Sequence, residues 1–143
     1  MKKPPCRLIP LCVLSAAVLI GYVASAGAQE RPSLKDVSAV RLSNYGVPSK
    51  LFHGKEEVKA VVEELEQLRA KKWRQADLRM RCYATVQLLH GDKPITAFRV
   101  RPEYVVERAQ DKAVPTYNMQ ITEGDLPIIR KLLTDVPPSK DCG

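Results

Sequence analysis

Side chains that advertise chemistry are scarce in this chain. It holds only two histidines, His53 and His90, and neither stands at metal-ligand spacing with a second histidine or a cysteine. No glycine-rich phosphate loop, nucleophile elbow or paired-cysteine redox motif occurs in the sequence. Internal repeats and low-complexity tracts are absent as well. These gaps exclude the metal-dependent, phosphoryl-transfer and thiol-redox classes that declare themselves by motif. No cofactor and no metal site are expected, and the sequence reads as that of a non-enzyme.

One long apolar run is present, and it lies at the N-terminus. Lys2, Lys3 and Arg7 precede an apolar stretch from Leu8 to Val23, and small residues follow through Ala28. That is the pattern of an export signal, with a core too short for an ordinary membrane span of roughly 20 residues. Residues 1–28 are therefore read as a signal peptide, with Ala26-Gly27-Ala28 the favoured cleavage site, and 29–143 as a single small exported domain, periplasmic or secreted. An uncleaved anchor from Leu8 to Ala28 is the alternative, because counting the small residues brings the stretch to spanning length. A lipoprotein is disfavoured, since Cys12 lies inside the apolar core.

Cleavage rewrites the composition. The whole chain carries a formal charge of +7, but with Lys2, Lys3 and Arg7 removed it keeps 20 basic and 16 acidic residues, a net +4. Of four cysteines, Cys6 and Cys12 leave with the signal. The remaining pair, Cys82 and Cys142, is expected to form a disulfide in an oxidising compartment. Roughly 115 residues suffice for one hydrophobic core, not two.

Periodicity places the elements. Leu34 to Tyr45 reads as a first strand, and Lys50-Leu51-Phe52 as at most a short second one. Lys55 to Lys72 is a helix, with Val58, Val61, Val62, Leu65 and Leu68 on one face and Glu56, Glu57, Glu63, Glu64 and Glu66 filling most of the rest. Trp73 follows, covering the edge of the core. Thr116 to Ile121 is a strand. Thr122 opens a last helix through a capping box with Asp125 in the glutamate position, and Leu126, Ile129, Leu132 and Leu133 form its stripe. The expected class is α+β: a two-layer domain with an antiparallel sheet of about four to five strands and two helices on one face.

Leu78 to Leu89 and Pro94 to Glu107 carry the most information. Met80, Cys82, Ala84, Val86 and Leu88 alternate with polar neighbours and point to the core, as do Thr96, Phe98 and Val100. A two-residue loop pairing His90 with Lys93 would oppose Ala84 to Arg99 and mix the faces, so an odd-length loop opposing Ala84 to Phe98 and Cys82 to Val100 is predicted. Glu103 and Glu107 alternate outward in this reading. Arg81 then lies across from Arg101, Tyr83 from Arg99 and Arg79 from Glu103.

Arg79, Arg81, Tyr83, Arg99 and Arg101 thus form the one constellation above background. Guanidinium forks suit carboxylates and phosphates, and a tyrosine adds a flat contact surface. The expected partner is an acidic protein surface or an anionic envelope component. Nucleic acid is not expected for an exported domain of modest charge, and membrane contact only if the signal is retained. The leading functional expectation is a protein-binding, inhibitor or immunity-type module; a membrane-anchored envelope accessory protein and a small hydrolase are the other readings.

Overall fold

Seven strands and two helices follow one another along the chain in a computed structural model that describes residues 30–140 and Cys142. The export-signal reading of residues 1–28 lies outside the described residues. The elements are β1 (Ala39–Ser43), β2 (Lys50–Phe52), α1 (Lys55–Arg69), β3 (Arg74–Gln75), β4 (Ala84–His90), β5 (Lys93–Val100), β6 (Tyr104–Ala109), β7 (Tyr117–Gln120) and α2 (Pro127–Leu133). The class is α+β, and every paired neighbour in the sheet is antiparallel. The expectation of four to five strands undercounts. The segment read as one strand from Pro94 to Glu107 is two, folded at residues 101–103 where Arg101 N–H donates to Tyr104 O, and β3 is too short to leave a periodic signal.

Spatial order in the sheet is β2-β1-β4-β5-β6-β7-β3. One buried cluster joins Val58, Val61, Leu65 and Leu68 of α1 and Ile129 of α2 to the inward residues of the strands, among them Val40, Leu42, Val86, Leu88, Phe98, Val100, Val105 and Met119. The helical spacing of the first set and the two-residue spacing of the second are the two periods that define such faces. Trp73 packs against this cluster, edge-on to Phe98, and its indole N–H donates to Leu68 O.

The hairpin resolves the register differently from expectation. His90 pairs with Lys93 across a two-residue turn, yet Val86 opposes Phe98 and Ala84 opposes Val100, so the apolar sets do share a face. A bulge reconciles the two: Leu88 pairs with Thr96 and Leu89 with Pro94, leaving Ile95 as the extra residue that shifts the phase. Gly91, at φ 60°, supplies the positive φ of the tight turn.

The last helix also starts later than expected. Thr122 and Asp125 form only half of a capping box: Thr122 N–H and Oγ1 both reach Asp125 Oδ2, while Asp125 N–H donates to the Thr122 carbonyl, and together they close a turn ahead of the helix. α2 begins at Pro127, after Leu126 in the left-handed region at φ 57°. Its first free N–H groups are met from α1, where Glu64 accepts from Ile128 and Ile129 at 2.8 and 2.9 Å. Glu64 is therefore more than a solvated acid on a polar helix face.

Candidate functional site

β3 and β4 run in the same direction with three strands between them, so the chain that joins them must cross β7, β6 and β5. Four strand spacings amount to about 19 Å, and the eight residues from Ala76 to Tyr83 reach about 27 Å when drawn out. A drawn-out chain alternates its side chains like a strand. This is why Met80 and Cys82 read as core positions although the paired strand starts only at Ala84. Cys82, at φ 57°, breaks the extended path just before it.

The crossing passes over the sheet face opposite the helix-side cluster. Asn118 Nδ2 donates to Ala76 O at 2.8 Å, Arg108 is paired with Asp77 at 2.5 Å, and Arg101 Nη1 donates to Arg81 O at 2.8 Å. Val106, which points to this face beside Arg99, is 1% exposed beneath it. Residues 78–81 border two hollows. One, of about 540 Å³, brings Arg79 and Arg81 together with Arg99 and Arg108. The other, of about 470 Å³, adds Arg101, Glu103 and Tyr104.

The arginines singled out in sequence are thus gathered, by another route than the one predicted. Arg79 and Arg81 sit on the crossing, not on a paired strand, so neither is a cross-strand neighbour of Glu103 or Arg101. Arg101 reaches the Arg81 and Cys82 carbonyls and lies 3.9 Å from Glu103. Arg99 places its guanidinium 4.8 Å over the Tyr83 ring, whose edge contact with Tyr45 is 5.6 Å between centroids. Stacking of this kind spreads the charge over a polarisable surface without neutralising it. Among the described residues Arg79, Arg81 and Arg99 form no ion pair. Arg108 and Tyr104 belong to the same face and escape sequence reasoning, because only the crossing brings them beside residues 78–81.

Cys82 and Cys142 form the expected disulfide, with Cα atoms 5.7 Å apart. It fixes the end of the crossing to the C-terminal tail, which is also held where Asn44 Nδ2 donates to Pro137 O and Lys140 N–H to Tyr45 O. Such a bridge is consistent with an oxidising compartment.

Glu107 departs from expectation. It faces the core, 1% exposed, instead of alternating outward. Arg69 reaches it with Nε at 3.0 Å and with Nη2, Thr96 Oγ1 donates at 3.0 Å, and Arg31 Nη1 lies at 3.3 Å. Arg31 is further held over the rings of Trp73 and Tyr117, at 4.8 and 4.4 Å. Every lone pair of this carboxylate is engaged, so the network pins the segment before β1 and offers no free base.

His53 and His90 are exposed, and His90 Nδ1 lies 2.7 Å from Asp36 O. Among the described residues no group of three or more histidine, cysteine or carboxylate side chains is placed to hold a metal, and no helix is long and apolar enough to cross a membrane. Comparison with known proteins finds no matching family model, no matching curated relative and no matching solved structure, so the site stands on its own geometry.

Proposed function

We propose that the protein works outside the cytoplasm, periplasmic or secreted, as a non-catalytic protein-binding module of the inhibitor or immunity type, and that its arginine-bearing sheet face engages an acidic partner surface. In this reading the two helices form one layer behind the sheet and leave the opposite face to the partner. The carrying observation is the concentration of charge. Arg79, Arg81, Arg99, Arg101 and Arg108 border the two hollows against only Asp77 and Glu103, a local net of +3, whereas 29–143 as a whole carries +4. The hollows are thus a local concentration of positive charge. A field of this kind steers an acidic partner and sets its register.

Arg79 and Arg81 are the residues to test, being exposed and without an ion pair among the described residues. Capture from an envelope extract on immobilised disulfide-bonded protein is expected to retain an acidic protein that elutes with salt and is lost on the Arg79→Glu/Arg81→Glu variant. Unchanged capture by that variant would remove this face from the interface.

A further inference from the structure

The crossing segment has a second property besides its charge. Residues 78–83 make no backbone-to-backbone hydrogen bond among the described residues. Leu78 N–H is taken by its neighbour Asp77, and the Arg81 and Cys82 carbonyls by Arg101. The peptide groups of Arg79 and Met80 are left with no partner among the described residues. A drawn-out stretch with open N–H and C=O groups is what an added peptide strand pairs with.

The hollows beside it are also not purely polar. Leu78 and Met80 are half-buried and border both, and Tyr104, 40% exposed, lines one of them. Methionine adapts its shape to whatever apolar group is offered. A lipid headgroup or a phosphate polymer would use the guanidinium groups alone. A peptide would use the guanidinium groups, the open peptide groups and the apolar floor together.

We infer that this face takes a short, extended, acidic segment of a partner protein, laid along residues 78–81 with one apolar side chain seated against Met80 and Tyr104. The inference rests on the proposed role of the arginine face and adds the form of the ligand. Backbone pairing supplies affinity with little sequence demand, while the arginines and the apolar seat select the side chains.

The test is selection of a random decapeptide display library on the disulfide-bonded protein, with the Arg79→Glu/Arg81→Glu variant as the counter-target. Both proteins are first checked for the intact disulfide and an unchanged melting transition. Enrichment of peptides rich in Asp and Glu with one large apolar residue is expected, with affinity falling at least tenfold on the variant and severalfold on Met80→Ser. Failure to enrich over the variant, or enrichment of peptides without acids, overturns the inference. Phosphatidylglycerol vesicles and inorganic polyphosphate are measured in parallel. If either binds through Arg79 and Arg81 more tightly than the selected peptides, the basic face stands and the peptide ligand falls. If charge reversal alters binding of none of the three probes, both readings fall.

Discussion

Glu107 accepts hydrogen bonds from Arg69, Arg31 and Thr96 while almost wholly buried, so removing it leaves two largely buried cations without their counter-charge. Glu107→Ala is expected to cost about 3 kcal/mol in chemical denaturation, and the double change Glu107→Leu/Arg69→Met less, because it removes the more buried arginine together with the carboxylate and leaves only the partly exposed Arg31 unpaired. Asp125 makes a pH-dependent contribution. The Thr122 N–H holds its carboxyl below the usual carboxylate range; burial, the next effect in size, opposes it, and Lys71 and the Thr122 hydroxyl add smaller downward contributions. A group whose folded pKa is depressed stabilises above its unfolded value and loses that stabilisation as pH falls through the folded one. The stability difference between the native protein and Asp125→Asn is therefore expected to be full near neutrality and to vanish below the ordinary carboxylate range, as read by melting curves across pH. At this scale the sequence was partly legible. Glu107 stands two residues after Val105 and shares its inward parity, but a carboxylate among apolar positions reads as outward until its partners, 38 and 76 residues away, are known.

Helix α2 depends on a side chain from another element. Glu64→Ala should cost about 1 kcal/mol, the usual scale for a lost N-terminal cap, and should speed hydrogen exchange at the Ile128 and Ile129 amides severalfold before it affects α1. In the hairpin, Gly91 sits at φ 60° with open space around it. Gly91→Ala is expected to destabilise by about 1 kcal/mol through backbone strain alone, with no change in ligand behaviour. Helix α1 and the inward sets of β4 and β5 were readable because Val58, Val61, Leu65 and Leu68, and likewise Thr96, Phe98 and Val100, keep one period from end to end. The bulge at Ile95 was not, since one extra residue shifts the phase without altering the alternation on either side. The start of α2 was hidden for a related reason: the Asp125 carboxylate takes the Thr122 N–H as in a capping box, but the chain closes a turn there and then spends Leu126 in a left-handed conformation before it coils.

For the molecule as a whole the disulfide closes a loop of 60 residues, which the chain-entropy model values at about 4 kcal/mol. Cys82→Ser/Cys142→Ser is expected to lower the denaturant midpoint accordingly and to weaken binding at the arginine face, because Cys82 ends the crossing that carries Arg79 and Arg81. The arginines themselves were visible in sequence. Their arrangement was not, because a connection over three intervening strands leaves no local trace beyond an alternation that imitates pairing. The strand order has a further effect, on timing. One rim of the sheet, β3, pairs with a strand made more than forty residues later, Tyr117–Gln120, and the bond from Asn44 to Pro137 joins residues 93 apart. Contacts of such long range close slowly. A ribosome that has released the first hundred residues has freed both strands of the β2 rim but not the partner of β3, so the β3 rim and the C-terminal anchor of the crossing are completed only when the last residues are free.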